Sequence, residues 1–551
     1  MTCLVAQVGE DPQGYHQVSL TFNTNWEAAM KFSQHVVVIY LLALSMLTGC
    51  AATGNNARQV VVDAAEAMGG VDAIQSLDTL QIYGYGHEAY QDGGSLVTTE
   101  PTAPEKMTNM TAYHRVIDMA NDRTRVQARL YRAFVFAAEA MMKGLPINQS
   151  LDGDIAWDLA GNGAARRASD VTALTRRMDM LSFAPVAVRE ALEAGSTVGN
   201  RRRQDNLTLV DVTTADDRMF TLAVSSDTGL PHWVRWLEPH ENLGEMTQRA
   251  EYSAWLPVDG LLLPMSINTV SDWKDTVMLR LHIDRYVVNA VIDNLAAPAA
   301  VRSTPAPVAS YTVTAEPVAD HVWHMIGNNG ANSVLLEFED HLTLFELPTN
   351  RAWSRAIIEA AYETVPGKPI TQLIISHHHF DHTGGLREAI AEGITIVAQE
   401  GNMDWFRELS ERPVMMYHDN LSRNPRPISL RPVEDHLQLS DDFLTVELYH
   451  TISNAHMAHG LLAYVPEHRL LIQGDLFDLN WQVYFWGDTY DDNVTYRSMD
   501  VERDVPIHGR VTSIADVHRI LDRQKANARA LCAEVASAGM SMPGCPLAWE
   551  D

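Results

Sequence analysis

Residues 376–385 read Ser-His-His-His-Phe-Asp-His-Thr-Gly-Gly, which puts four imidazoles and one carboxylate (His377, His378, His379, Asp381, His382) within six positions. Such groups are costly to bury unpaired, and neutral imidazole with carboxylate is a favoured donor set for zinc and other borderline metals. Three further candidates follow. His456 lies in Asn454-Ala455-His456-Met457, Asp475 ends the run Leu470-Leu471-Ile472-Gln473-Gly474, and His508 lies in Pro506-Ile507-His508-Gly509. The chemistry this set suits is metal-assisted hydrolysis, in which a bound cation makes a nucleophile of water near neutral pH and polarises the bond under attack. Taken alone, the first cluster also fits a polar loop of solvated histidines. The three later groups, each at a strand end or turn, argue against that.

The elements that must position these residues are short. Leu373-Ile374-Ile375 reads as a buried strand, and Gly384-Gly385 as a turn into a helix beginning near Leu386. The apolar run before Gly474-Asp475 reads the same way. Strand, donor-bearing loop and helix in succession place the candidates at the C-terminal edge of a sheet, where open α/β sheets carry their sites.

The pattern His-x-His-x-Asp-His, then a His, then Gly-Asp, then a His before Gly resembles the metallo-β-lactamase-fold hydrolase superfamily in order and spacing. The resemblance covers about residues 311–530. It implies an α/β catalytic domain over 311–551 with the αββα sandwich of that family. Val322–Ile326 and Ser333–Phe338 look like its opening hairpin, Leu342–Glu346 like its third strand, Arg351–Thr364 like a helix on the sheet, and about Ser513–Ala530 like its final helix.

Carried over residue by residue, the resemblance implies two metal ions, zinc first, with manganese or iron as alternatives. His377, His379 and His456 would hold one, and Asp381, His382 and His508 the other, with Asp475 bridging both. Counting back from Asp381-His382 selects His377 and His379, so His378 is expected to point the other way. His456 is preferred to His450 because an aromatic and then a proline follow it as Tyr464 and Pro466. Asp381 would orient a hydroxide shared by the metals and accept its proton. Glu346 stands where the family usually has Asp, which bears on how neighbouring groups are oriented. Trp481, Tyr484 and Trp486, with His459, are expected to wall a substrate pocket, core packing being the alternative for the aromatics. Tyr484 or Tyr490 is a candidate donor to a leaving group.

The implied reaction is hydrolysis of a small ester or lactone, since the seven-donor set with a bridging Asp resembles lactonases and glyoxalase-II-like hydrolases. Alternatives are a phosphoester, thioester, amide or β-lactam hydrolase, a mononuclear iron sulfur dioxygenase, or a non-catalytic ligand-binding envelope lipoprotein. Dinuclear β-lactamases of this fold lack the bridging Asp. The 33 positions between Asp475 and His508 leave no room for the insertion of the nuclease branch. No flavin-binding pattern follows residue 530.

The length of 551 residues fits two to four domains, and a net charge of −29 argues against a nucleic-acid partner. A small-molecule substrate is expected, and the oligomeric state is not readable. Residues 1–29 read as a mis-called N-terminal extension. Residues 30–50 read as a signal segment, with an apolar core over Val36–Leu44 too short to span a bilayer. Its end, Leu47-Thr48-Gly49-Cys50, resembles a lipobox, which implies lipidation of Cys50, membrane anchoring, and an outer-membrane lipoprotein at the periplasmic face of the cell envelope. Cys532 and Cys545 fit either a disulfide or two inert thiols.

Residues 57–295 alternate short strand patterns with turn signals and read as an α+β domain built on a curved antiparallel sheet. Its strand rhythm resembles the domains that precede some periplasmic members of the superfamily and, more loosely, the half-barrel of lipoprotein carriers. A covering role is favoured over binding an apolar ligand. The Ala- and Pro-rich stretch 296–310 reads as a semi-rigid linker.

Overall fold

The computed structural model describes residues 56–90, 106–132 and 144–547, apart from 329, 455, 486, 487 and 543, plus the backbone of a hairpin pairing Gln7–Glu10 with His16–Ser19. Cys50 with its signal segment, and Trp486, lie outside the described residues. Among the described residues no helix is long and apolar enough to cross a membrane.

The first domain is one open sheet of thirteen strands, and every neighbouring pair is antiparallel. Its centre pairs Thr79–Ala89 with Met107–Asp118 on one side and with Val277–Val288 on the other. Alternation creates the sheet's two faces: Leu80 and Ile82 are buried while their neighbours are half-exposed. At Asp259-Gly260 both residues have positive φ (48° and 85°), the twist that a tight two-residue hairpin needs. Register shifts recur along the sheet, at Gly84/Gly86, Thr111/His114 and Ile283/Arg285, and such bulges increase local bend.

Helices fill the hollow. The 56–67 helix ends at Gly69-Gly70, both at positive φ. Ala184–Leu192 is buried on nearly every side, because Arg189 and Glu190 are its only polar residues.

The second domain is an αββα sandwich. One sheet of seven strands opens with an antiparallel meander, then runs parallel through Leu342–Phe345, Ile370–Ile374, Thr395–Gln399 and Leu430–Val433. The other has six strands, with Leu470–Gln473 parallel to Arg503–Pro506. Val334, Phe345, Ile374 and Val397 meet Val446, Leu461, Ile472 and Val505 between the sheets. Helix Arg351–Thr364, capped by Asn350 accepting the Trp353 N–H, covers one outer face. Helix Ile514–Ser537 covers the other.

The helix end and the 296–310 stretch depart from expectation, and of the two readings of Cys532 and Cys545 the structure has the disulfide. The last helix runs seven residues beyond Ala530, to Ser537. The 296–310 stretch is more than a tether: Ala299–Ser303 is a short helix, and Ala297 and Val301 are buried against Trp157. Val301 within the helix and Ala297 just before it anchor the stretch to the first domain, which composition alone concealed.

The two domains dock through specific contacts. Asn242, between two strands of the first sheet, donates to the Phe380 carbonyl and to Thr383 Oγ1, both at 2.9 Å. Trp273 meets Trp405 edge-on at 4.9 Å. Leu243 and Met246 belong to the same apolar cluster as Leu373 and Ile375, which flank Ile374 in the run leading to the histidine loop. One core therefore spans the joint and ends beneath the site.

Candidate metal centre

Each donor sits just beyond the C-terminal end of a strand. Ile370–Ile374 delivers His377, His379, Asp381 and His382, Leu470–Gln473 delivers Asp475, and Arg503–Pro506 delivers His508. Thr445–His450 leads into the turn that carries His456. Gly474 lies so close to the Ser376 side chain that a Cβ there would collide with it, so glycine is what lets the Asp475 turn approach the histidine loop.

The donors fall into two overlapping groups. Ligand atoms of His377, His379, His456 and Asp475 lie within 4.8 Å of one another, as do those of Asp381, His382, Asp475 and His508. Asp475 belongs to both. Its Oδ2 is 2.7 Å from His456 Nε2 and 3.4 Å from His382 Nε2, and its Oδ1 is 3.4 Å from His508 Nε2. Within the first group, His379 Nδ1 is 2.8 Å from His377 Nε2 and 3.1 Å from His456 Nε2.

This donor set fits a cation. A ring nitrogen carries either one proton or one lone pair, so three converging ring nitrogens cannot all be satisfied by each other's protons. A positive ion at their meeting point satisfies all three lone pairs at once. Burial, then the neighbouring His382, hold the His377 ring well below the usual imidazole range; burial and then Lys106 do the same for His379. Both rings are thereby kept neutral, the form that ligates. In the second group burial opposes charge, but the carboxylates of Asp381, Asp475 and Glu346 raise His382, and Asp475 raises His508 to about 9. Asp475 is held well below the usual carboxylate range because His382, His456 and His508 outweigh its burial.

Glu346 orients the loop. Its Oε1 accepts the Ser376 N–H at 2.7 Å, and its Oε2 faces His382 Nδ1 at 3.5 Å. Turning Nδ1 toward this carboxylate leaves Nε2 for the site, as is usual for ligating histidines. His378 turns away, packing edge-on against Trp405 at 5.0 Å. His450 lies outside both groups, with Nε2 3.2 Å from the Ala458 carbonyl.

Residues 326–488 match the family model described as the metallo-beta-lactamase superfamily. The second domain is a metallo-β-lactamase superfamily domain. Two curated relatives from Pseudomonas sp. are similar over 75 residues: a linear primary-alkylsulfatase at 28% identity and an (R)-specific secondary-alkylsulfatase at 32%. Each match covers 14% of this chain and 11% of the relative, so the chain spans about a tenth of the length of the curated relatives it matches. Among solved structures, DIM-1 metallo-beta-lactamase is 14% identical with a TM-score of 0.29, covering 39% of this chain and 96% of its own. The inverting sec-alkylsulfatase Pisa1 from Pseudomonas sp. is 18% identical with a TM-score of 0.31, covering 41% of this chain and 43% of its own.

In this metallo-β-lactamase domain a cavity of about 150 Å³ is lined by His379, Asp381, His456, Asp475, Asp478, Trp481 and His508, together with Tyr90 of the first domain. Trp481 therefore stands where a pocket wall was expected. Tyr484 does not: it is buried in the outer core with Phe477 and Tyr490, and its hydroxyl donates to the Leu476 carbonyl at 3.1 Å. Tyr490 is also buried there and donates to Asp504 Oδ1 at 3.2 Å. His459 is not among the lining residues either; its ring packs over Gly401, and its carbonyl accepts from Asn402 Nδ2 at 2.7 Å. Irregularly spaced aromatics between two donors carry no sign of which side of the sheet they take, and packing decided it. The sequence reading missed two residues of the first domain. Tyr90 lines the cavity, and Lys106 Nζ lies 3.1 Å from His379 Nε2. No local pattern marks either one.

Proposed function

We propose that the chain is a metal-dependent hydrolase of a small ester or lactone, with zinc in two positions. The observation that carries this reading is the pair of overlapping donor groups that share Asp475. His377, His379 and His456 would hold one ion, Asp381, His382 and His508 the other, and Asp475 both. Bound there, the ions would lower the pKa of water toward neutrality and polarise the oxygen of the bond to be cleaved.

The chain's own residues supply the rest. Asp381, partly exposed and 3.5 Å from His382 Nε2 and 3.6 Å from His508 Nε2, is placed to orient a water in the cavity and take its proton. Glu346 faces the His382 ring with one oxygen and holds the Ser376 N–H with the other. Trp481 closes one side and restricts water. A sulfate ester is the second reading, favoured by the names of the two curated relatives. Attachment to the envelope through Cys50 is proposed with either.

The test is elemental analysis of protein purified without chelator, alongside a panel of lactones, carboxylic esters, sulfate esters, thioesters, phosphodiesters and β-lactams. About two zinc ions per chain with turnover of one ester class is the expected result. His379→Ala should lose bound metal and lower kcat/KM by at least about a thousandfold while retaining its folded circular-dichroism spectrum. One iron per chain without hydrolysis would overturn the reading in favour of a mononuclear dioxygenase.

A further inference from the structure

The hollow face of the first sheet is not apolar to its end. Ile82, Ala250 and Ile267 belong to the core that the helices cover. Side chains alternate along a strand, so Glu88 shares the face of Ile82, Gln248 that of Ala250 and Thr269 that of Ile267. The three come from nearby strands: Ala250, two positions from Gln248, is opposite Thr269, and Leu279 is opposite Thr269 on one side and Glu88 on the other. Where these polar residues replace the apolar ones, a cavity of about 270 Å³ opens, and helix Asp170–Asp179 contributes Thr175 and Asp179 to its wall. No described residue lines both this cavity and that of the metal centre.

We propose that this cavity is a binding site for a small organic cation, a primary alkylammonium whose hydrocarbon body packs inside the first domain. The site is separate from the chemistry of the metal centre and does not depend on it.

Two lining atoms require a donor. Gln248 and Thr269 are only 6% and 5% exposed, and among the described residues Gln248 Oε1 and Thr269 Oγ1 have no hydrogen-bond partner. Buried polar atoms are nearly always paired, and one left without a partner costs free energy. The Gln248 amide nitrogen is already given to Glu238, which leaves its oxygen as the end available to a ligand.

The charge around the cavity requires that the donor be a cation. Glu88, Asp179 and Glu238 line it, against the one guanidinium of Arg115. That guanidinium is already matched, with Nη1 2.5 Å from Asp179 Oδ2 and Nε donating to Thr124 Oγ1 at 3.2 Å. Neither Glu88 nor Glu238 is in an ion pair among the described residues. Burial raises the Glu88 carboxyl, with Arg132 opposing it more weakly, so a cation beside Glu88 would favour the charged form that burial disfavours.

A bare divalent ion does not fit, because the two groups of clustered donor atoms among the described residues both lie at the metal centre. Met110, Val126, Ile147 and Leu279 also wall the cavity, a surface that a hydrocarbon chain covers and a hydrated ion does not. An ammonium donates three hydrogen bonds, one each for Gln248 Oε1, Thr269 Oγ1 and the Glu88 carboxylate.

The experiment is calorimetric titration of the full chain, purified without chelator, with n-hexylammonium, hexan-1-ol and hexanoate at neutral pH. One hexylammonium per chain should bind, at least about tenfold tighter than either comparator. Thr269→Val keeps the side chain's shape and should weaken hexylammonium about five- to tenfold. Its unfolding midpoint should not fall, because the hydroxyl bonds to nothing in the ligand-free chain. Glu88→Gln should weaken hexylammonium about tenfold and narrow its margin over hexan-1-ol.

Binding is read without turnover, so an absence of hydrolysis would bear on the metal centre alone. No saturable binding of hexylammonium, equal binding of hexan-1-ol, or an affinity unchanged by either substitution would each overturn the proposal. So would binding that His379→Ala abolishes, which would place the amine on the metal.

Discussion

Two buried glutamates, one in each domain, show what separates a packed polar group from a working one. Glu238, in the first domain's sheet, accepts the Trp236 Nε1–H at 2.6 Å, and burial pushes its carboxyl up to about 7. Glu346, at the end of a sandwich strand, accepts a backbone N–H with one oxygen and faces the His382 ring with the other. Both are withdrawn from water. Glu238 meets two neutral groups, the Trp236 indole and the Gln248 amide, neither of which ligates a metal. Glu346 meets a ring whose far nitrogen looks onto Asp381 and Asp475. Its backbone is also held at φ 71°, a conformation that costs a non-glycine residue about 1–3 kcal/mol and persists only where its surroundings impose it. Burial is common to both; facing a ring that looks onto Asp381 and Asp475 is what ties Glu346 to the site.

The largest effect expected from this contrast is on stability in the first domain. The Glu238 carboxyl rises from 4.5 to about 7 on folding, so between those values the folded state holds a proton that the unfolded chain releases. Stability therefore falls as pH rises from 4.5 to about 7, then levels off, with a total on the order of 3 kcal/mol for this one group. Glu238→Gln keeps an oxygen for Trp236 and has no charge to bury. Urea unfolding between pH 4.5 and 8 should show a flatter profile for the variant in the first domain's transition, with kcat unchanged. Parallel profiles would mean that Glu238 is not the group responsible.

A smaller effect belongs to the other glutamate. Glu346→Gln retains an acceptor for Ser376 but can present an NH₂ group to His382 Nδ1, opposing the proton that the ligating ring carries there. Loss of such an orienting partner typically weakens metal affinity or activity by about 10- to 100-fold. Chelator competition should show that loss without a matching fall in stability. An unchanged affinity would reduce Glu346 to the same passive status as Glu238 and erase the comparison.

How much of this was legible in the sequence follows from where each interaction is made. The donors His377, His379, Asp381 and His382 sit in one loop after one apolar run, so residue type, spacing and strand-end position can all be read together. Asp475 follows a short apolar strand as well, whereas the strand before His508, Arg503–Pro506, carries an Arg and an Asp. The αββα layering is legible in part for the same reason, because central strands such as Ser333–Glu337, Leu342–Phe345 and Leu470–Gln473 are compact, largely apolar runs. Tyr484 and His459 were not, since a residue between two donors can turn toward core or cavity without changing its neighbours in sequence. Lys106 was least legible of all. It meets His379 across 273 positions of chain, and only the pairing of Tyr90 with Lys106 and the docking of two domains bring them together.

The smallest effect tests that assignment of Tyr484. Its hydroxyl is spent on the Leu476 carbonyl, next to Asp475, inside the core beneath the final helix. Tyr484→Phe leaves the ring's packing intact and removes a hydroxyl that also meets Thr489 and the Tyr490 backbone, so the cost is about 1 kcal/mol for each buried hydrogen bond lost. Because the donor faces backbone rather than the cavity, kcat/KM should stay within about twofold for anionic and neutral esters alike. A tenfold fall in turnover at unchanged stability would place the hydroxyl at the substrate after all, and the segment between Asp475 and His508 would then line the pocket with more than Trp481.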